Sequence, residues 1–564
     1  MTSHPVNRLF LIGLPGCGKT TIGRRVAGLL GWSFLDLDAL VEERAGASVA
    51  RLFAEQGEAH FRTLETSALA EAAHQELVVV ATGGGTVCAE ANRALLRASG
   101  WRVWLDVEPR VALARLETTP ARNGTATPVR PLLAGADPLR RLEALRVERT
   151  RFYEEADDTV VAGELSEDAI ARRVAAGIIS CGLVDGCATP TRVLRATHPA
   201  GVDYDAVVAW GGLATLGDRL HALDFPPRLH IVSDATVGAL FGPGVLAGLR
   251  RAGFEPELWT MPAGEAHKNR AQLDRLYDWL AERRAERREA VLALGGGVVG
   301  DLAGFAAATY LRGVPLVQVP TSLLAQVDAS IGGKVGIDHP RGKNLLGAFH
   351  QPALVLADPA TLLTLPARTY IEGLAEAIKH GVVLDAPYFA ALETDVVALL
   401  ARDPTALTAA VAGSVALKLG VVQGDELERE NGRRQLLNYG HTIGHALETV
   451  TGYGQWLHGE AVAVGMAVAA RVGQRLGLTP PAVVARQDAL LAAFGLPGRL
   501  PPIPATRLMR AALWDKKVRG GRVRWIVATA LGSATAVEDV PDEVVRAVLV
   551  ELGARVAPDT EEEE

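Results

Sequence analysis

A short apolar run, Arg8–Ile12, leads straight into Gly13-Leu14-Pro15-Gly16-Cys17-Gly18-Lys19-Thr20, and a helical pattern begins immediately behind it. This strand, glycine loop and helix, in the pattern GxxxxGK[ST], leaves the chain few options. The glycines let successive backbone N–H groups turn inward on an anion, and the helix N-terminus adds a dipole of the right sign. The expected ligand is a nucleotide with Mg²⁺, and the loop alone does not say which acceptor goes with it. Gly13, Gly16, Gly18 and Thr21 complete the cradle, Lys19 bridges the β- and γ-phosphates, and the Thr20 hydroxyl sits on the metal.

The same alternation of apolar runs and amphipathic stretches extends through Leu77–Ala81 and Val103–Leu105 to about Arg173, which predicts a parallel-sheet α/β domain over residues 1–179. At 564 residues the chain is too long for one core. A second α/β pattern starts after a small, polar linker at 180–191 (SCGLVDGCATPT). Its apolar runs are Val207–Ala209, Leu229–Val232, Ala290–Leu294 and Leu316–Val319, within a unit expected at 192–365. Helical patterns dominate 366–556, and 557–564 reads as an acidic, solvated tail.

A net charge of -7 argues against nucleic acid as the main partner, while leaving room for local basic pockets. Four cysteines cannot form a disulfide framework in so long a chain, so a reducing, cytoplasmic setting is expected. The first residues lack the layout of a signal peptide. The closest approach to a membrane span, Leu407–Val422, is interrupted by Lys418 and reads as a buried helix. No membrane partner is expected.

Further motifs narrow the chemistry of the first half. Phe34-Leu35-Asp36-Leu37-Asp38 is expected to set two carboxylates on one face of a strand end. Gly57-Glu58-Ala59-His60-Phe61-Arg62, Thr82-Gly83-Gly84-Gly85 and Val129-Arg130-Pro131-Leu132-Leu133 follow in order. Over about residues 8–165 this series resembles the shikimate kinases. The resemblance implies that Asp36 helps hold Mg²⁺ through water and that Asp38 binds the shikimate hydroxyls and positions the attacking one. It assigns Arg62 and Arg149 to the shikimate carboxylate, which suits a planar guanidinium. Gly84 and Gly85 would let the backbone approach the ring, Arg130 would reach the transferring phosphoryl group, and Arg115 would lie near adenine. A long Thr/Pro/Gly-rich stretch, Pro120–Pro128, separates the last two and departs from the usual lid.

In the second half, Ala290–Leu294 runs into Gly295-Gly296-Gly297-Val298-Val299-Gly300-Asp301. By itself this fits a dinucleotide pyrophosphate or merely a tight turn. His441 and His445 stand four apart on one helix face, His458 follows a Gly-rich turn, and Glu376 offers a carboxylate from an earlier helix. Histidines and a carboxylate without thiolates suit a catalytic Zn²⁺ with an open position. Spacing alone favours His441 and His445 as the ligand pair, although one ligand beside one hydrogen-bonding histidine is a common alternative.

Pro262-Ala263-Gly264-Glu265, the GGGVVGD run, Val327–Lys334, Gly342-Lys343-Asn344-Leu345, Leu437–His441, Trp456–Glu460 and Asp515-Lys516-Lys517 make residues 192–550 resemble 3-dehydroquinate synthase. That resemblance implies zinc (or cobalt) ligands Glu376, His441 and His458, with His445 on the substrate side. It puts Asp328, Lys334, Asn344, Lys379, Lys418, Arg434, Asn438 and Lys516 around the substrate, with Arg312 supplied by the partner in a homodimer. Glu265, Lys268, Gly296, Gly297, Val298, Asp301, Thr321, Ser322 and Lys343 would line an NAD site. Two residues look inserted between Asp425 and Glu430. The implied whole is a bifunctional enzyme. One half would phosphorylate shikimate, and the other would convert 3-deoxy-D-arabino-heptulosonate 7-phosphate to 3-dehydroquinate and phosphate. The rival is a synthase whose kinase-like half has become regulatory or takes another acceptor.

Overall fold

The computed structural model describes residues 7–118, 137–163, 165–182, 191–197, 203–428, 432–452, 454–513, 518–519 and 522–556. Pro120–Pro128, Arg130, Lys516 and the acidic tail lie outside the described residues. The chain divides into two compact units, Met1–Ala188 with Ala239–Val245, and Thr189–Gly238 with Leu246–Glu564.

The first unit runs β1 (Arg8–Ile12), α1 (Lys19–Leu30), β2 (Ser33–Asp36), α2 (Leu37–Ala45), α3 (Val49–Ala72), β3 (Val78–Ala81), α4 (Glu90–Ser99), β4 (Trp101–Asp106), α5 (Pro109–Thr118), α6 (Pro138–Tyr153), β5 (Asp158–Val161) and α7 (Glu167–Ser180). Its sheet has the order β2-β3-β1-β4-β5 with all pairs parallel. The central strand is buried from Leu9 to Ile12, as a continuous apolar run in a sheet covered on both faces must be. Phe10, Ile12, Val78 and Val80 pack with Leu37, Val41, Phe61, Leu69 and Tyr153 into one core. Each large side chain buried there contributes about 1.5–3 kcal/mol, which anchors the strands whose carboxyl ends carry the loops of interest.

Asp36 and Asp38 do not share a strand face. The strand stops at Asp36, which caps α2 by accepting from Ala39 N at 3.3 Å, and Asp38 falls in the first helical turn. An aspartate is a strong N-cap, and it ends the period-2 pattern two residues short of Asp38.

The second unit continues with β6 (Arg192–Ala196), β7 (Tyr204–Val208), α8 (Leu216–Ala222), β8 (Arg228–Asp234), α9 (Ala235–Arg251), β9 (Glu255–Met261), α10 (Arg270–Glu282), β10 (Ala290–Gly295), α11 (Gly297–Thr309), β11 (Leu316–Pro320), β12 (Lys334–His339), β13 (Gly342–Phe349) and β14 (Leu354–Ala357). Its main sheet has the order β6-β7-β14-β11-β10-β8-β9, parallel except for the β6–β7 pair. Strand order reverses between β8 and β10, and the glycine run leaves the carboxyl end of β10 at that switch, the usual crevice for a ligand in such sheets. Strands β12 and β13 form a separate antiparallel hairpin.

Helices follow: α12 (Ala367–Leu384), α13 (Ala386–Thr394), α14 (Val396–Leu400), α15 (Pro404–Gly424), α16 (His441–Thr451), α17 (His458–Arg475), α18 (Pro481–Ala493), α19 (Ala505–Leu513) and α20 (Asp542–Glu551), with two short hairpins before the last. The stretches expected as separate units at 192–365 and 366–556 share one core. Tyr204, Val208 and Val355 of the sheet pack with Leu374 and Ile378 of α12, Val411 and Val415 of α15, and Val462 and Met466 of α17. By length and composition α15 could cross a membrane, yet 61% of its most apolar window is buried within the fold.

Candidate active sites

In the first unit, Gly13, Gly16 and Gly18 all have positive φ (143°, 81° and 97°), the left-handed backbone that lets the loop curl. Lys19 Nζ reaches back to Gly13 O at 2.8 Å and Leu14 O at 3.0 Å. The Thr20 hydroxyl donates to Asp36 Oδ2 at 2.7 Å, so the two expected Mg²⁺ groups are in contact. Thr21 follows in the first turn of α1. Arg115 holds the loop from the other side, donating to Cys17 O at 3.3 Å and Ala162 O at 2.7 Å.

The carboxyl end of β3 supplies a second wall. A Cβ at Gly83 would stand 3.0 Å from Asp38 Oδ1, and one at Gly85 would stand 2.5 Å from the Arg62 guanidinium. Any larger residue would fill this space. Gly84 O accepts from Arg149 and Tyr153, each at 2.8 Å, so Arg149 here fixes the wall. Glu65, fully buried, accepts from Arg62 at 2.8 Å and from Thr86 at 2.6 Å. Glu65 and Tyr153 orient these groups, although in the sequence each looks like an ordinary helix residue.

In the second unit, α12, α16 and α17 bring three side chains together. A Cβ on Gly465 of α17 would lie 1.8 Å from Gly440 O, so glycine is what lets α16 and α17 touch. Glu376, His441 and His458 each offer a ligand atom, and these atoms lie within 4.8 Å of one another. His441 Nε2 is 3.6 Å and His458 Nε2 3.7 Å from Glu376 Oε1. The other ring nitrogens are anchored, His441 Nδ1 to Tyr439 O at 3.1 Å and His458 Nδ1 to Glu448 Oε2 at 3.3 Å. That turns both Nε2 lone pairs toward the carboxylate. Glu376 is fully buried and ion-paired to Lys379, and neither of its oxygens has a hydrogen-bond partner among the described residues. Lys379 offsets the charge at Oε2, whereas Oε1, which faces both Nε2 atoms, is buried with no donor, a costly arrangement unless a cation joins it. The donor set therefore fits a tetrahedral divalent metal with an open position.

The pair expected from helical spacing is not the one around Glu376. His445 groups instead with Glu448 and His458, its ring centre 5.2 Å from that of His441.

Around this cluster the cations gather. Lys418, buried in α15, donates to Asp328 O at 2.6 Å and pairs with its carboxylate at 2.6 Å. Burial would raise the Asp328 carboxyl, but Lys418, Lys379 and His380 outweigh it and hold it well below the usual range. Burial and, next, the neighbouring Arg434 lower the Lys334 ammonium. Lys334 pairs with Glu428, which also accepts from Asn438 Nδ2 at 3.2 Å. Arg434 donates to Gly332 O at 3.0 Å.

Beside β10, Gly296 is the N-cap of α11, where a Cβ would sit 3.2 Å from Ser322 Oγ, and Thr321 N donates to Gly295 O at 2.9 Å. Gly297 and Val298 open the helix, so its N–H groups face the crevice. Lys268, almost fully buried, pairs with Glu265 at 2.8 Å and Asp301 at 3.4 Å. Burial pushes the Asp301 carboxyl up to about 6, against the pull of Lys268. Lys343 lies 3.0 Å from Glu448 and 3.7 Å from Glu265. Asn344, with left-handed φ 52°, donates its N–H to Asp338 at 2.8 Å. Arg312 stands apart from these groups, exposed on the turn Tyr310–Arg312 with φ 64°.

Residues 15–179 match the shikimate kinase family, and residues 258–372 and 373–518 match the N-terminal and C-terminal parts of 3-dehydroquinate synthase. The 3-dehydroquinate synthase of Synechococcus sp. is 49% identical over 351 residues, covering 61% of this chain and 95% of its own length. That of Geotalea uraniireducens is 50% identical over 323 residues, covering 57% and 89%. Among solved structures, ValA, a 2-epi-5-epi-valiolone synthase from Streptomyces hygroscopicus subsp. jinggangensis 5008 with NAD+ and Zn2+ bound, aligns with TM-score 0.58 at 31% identity, over 64% of this chain and 99% of that one. A 2-deoxy-scyllo-inosose synthase complexed with carbaglucose-6-phosphate, NAD+ and Co2+ aligns with TM-score 0.58 at 25% identity, over 64% and 100%. The chain thus belongs to the 3-dehydroquinate synthase family and carries a shikimate kinase domain ahead of the synthase.

Proposed function

We propose that both halves are active, the first phosphorylating shikimate with ATP and the second making 3-dehydroquinate from 3-deoxy-D-arabino-heptulosonate 7-phosphate. One observation carries the synthase reading: a buried carboxylate, paired to Lys379 through one oxygen, turns its other, unpartnered oxygen toward two histidine Nε2 atoms. A decayed kinase half is disfavoured, because Thr20, Asp36, Asp38, Arg62 and Gly83–Gly85 still converge.

In the kinase, loop N–H groups and Lys19 hold the phosphates, and Thr20 with Asp36 forms the Mg²⁺ site. Bound Mg²⁺ would offset charge on the transferring group. Asp38 orients the attacking hydroxyl and accepts its proton. Arg62, aimed by Glu65, grips the substrate carboxylate. By resemblance, Arg130 reaches the phosphoryl group.

In the synthase, a Zn²⁺ or Co²⁺ ion held by Glu376, His441 and His458 would acidify a ring hydroxyl and polarise the derived ketone. Gly296, Gly297, Thr321, Ser322 and the Lys268–Asp301 pair beside β10 would hold NAD⁺, which would supply reversible hydride transfer with no net redox change. Lys334, Asn344, Lys379, Lys418, Arg434, Asn438 and, by resemblance, Lys516 hold the substrate's phosphate and carboxylate. His445 moves a proton at the reacting centre. Arg312 is exposed, so its guanidinium can reach a second copy, as in a homodimer through the synthase half. Described cysteines Cys17, Cys88 and Cys181 are all free thiols, which supports a cytoplasmic setting. The test is direct assay of the purified chain for shikimate 3-phosphate and 3-dehydroquinate. A chain that forms neither product with ATP, Mg²⁺, NAD⁺ and Zn²⁺ supplied overturns the reading.

A further inference from the structure

We infer that Glu448 is a positioning residue that ties the metal cluster to the dinucleotide crevice, so that NAD⁺ and the divalent metal bind interdependently. The inference rests on the metal and NAD assignments above. Glu448 sits on α16, 4% exposed, with its two oxygens committed in opposite directions. Oε2 is 3.3 Å from His458 Nδ1, and Oε1 is 3.0 Å from Lys343 Nζ. Lys343 lies 3.7 Å from Glu265, Glu265 lies 2.8 Å from Lys268, and Lys268 lies 3.4 Å from Asp301 on α11.

The result is a string of alternating charges from a metal-facing imidazole to the helix that the glycine run opens. A carboxylate bonded to the far nitrogen of a ligating histidine fixes its tautomer and raises its basicity. Here the same carboxylate also neutralises Lys343. With both partners largely out of water, a change at one end alters the charge balance at the other with little screening. Dinucleotide binding beside Lys343 and Glu265 therefore changes how firmly Glu448 holds His458. Metal binding on His458 acts back on Lys343. A shared buried carboxylate predicts reciprocal coupling, whereas a merely structural ion pair predicts none.

The test uses the full chain, stripped by a zinc-selective chelator and titrated with Zn²⁺ with and without saturating NAD⁺, and with NAD⁺ with and without Zn²⁺. In the wild type each ligand is expected to tighten the other by the same factor, about tenfold. In Glu448→Gln the factor falls to within about twofold of one, and zinc affinity without NAD⁺ weakens about 10–100-fold. Should that variant fail to melt cooperatively, Lys343→Met cuts the string at its other end, and coupling is expected to vanish there too. Equal zinc affinity with and without NAD⁺ in the wild type overturns the inference, as does full coupling in either folded variant. A wild type that binds both ligands and forms 3-dehydroquinate without coupling overturns only this link. One that binds neither overturns the metal and NAD reading beneath it.

Discussion

The kinase pocket is built mostly from main chain, and the synthase pocket mostly from buried ionisable side chains. In the first, positive-φ glycines and two strand ends form the cradle, and only a few side chains need aiming. In the second, buried Lys379 and Lys418 are matched by the carboxylates of Glu376 and Asp328, so the charges are offset in pairs. A backbone site tolerates change around it so long as the loop keeps its small residues. A side-chain site depends on each partner, because removing one member strands a buried charge, at a cost of about 3–5 kcal/mol.

That contrast predicts where each half breaks. The largest effect is expected from a zinc-selective chelator in excess Mg²⁺: 3-dehydroquinate formation stops and returns with Zn²⁺, while shikimate phosphorylation continues. Undiminished synthase turnover with no bound divalent metal would refute the Glu376, His441 and His458 assignment. Next, Lys19→Ala should lower the kinase rate about 1000-fold. The synthase rate should stay within about twofold, since the two sites lie in separate compact units. A fall in both rates in a folded variant would contradict that independence.

The third prediction separates two histidines on α16. His441→Ala should weaken zinc binding on the order of 1000-fold, because two ligands remain. His445→Ala should keep near-stoichiometric zinc yet turn over about 100-fold more slowly, as expected on losing a proton-transfer group. Metal analysis beside steady-state kinetics decides it, and equal zinc loss in both would restore the pairing that helical spacing suggests.

These differences also explain what was legible in the sequence. The strands carrying the glycine runs, β1, β3 and β10, stood out because sheets buried on both faces demand continuous apolar runs. The Gly13–Thr20 loop was legible because its function lies in backbone geometry at fixed offsets. The Asp36 and Asp38 pair misled because a helix cap competes with strand alternation. The helical spacing of His441 and His445 was read correctly as one helix, yet it could not reveal that α17 approaches through Gly465 and brings His458 toward Glu376. Glu65 and Glu448 left no signal, since a glutamate in an amphipathic helix looks solvated until tertiary packing buries it.

The smallest expected effect concerns the segment that looks inserted in the sequence. Glu428 adopts left-handed backbone, φ 52°, and its carboxylate bonds Lys334 and Asn438, two groups assigned to the substrate. Burial would raise the Glu428 carboxyl, but Lys334 outweighs that and keeps it below its ordinary value, so it stays ionised through the neutral range. A phosphate or carboxylate entering this pocket must displace a charge of its own sign. Glu428→Gln removes the charge and keeps the shape, so competition for Lys334 weakens. KM for the heptulosonate phosphate is expected to fall about three- to tenfold with kcat within about twofold, the pattern of a change in ground-state binding alone. The kinase should be indifferent to the change. A rise in KM would instead make Glu428 part of the substrate's own binding surface, with Lys334 needing its carboxylate to be held in position.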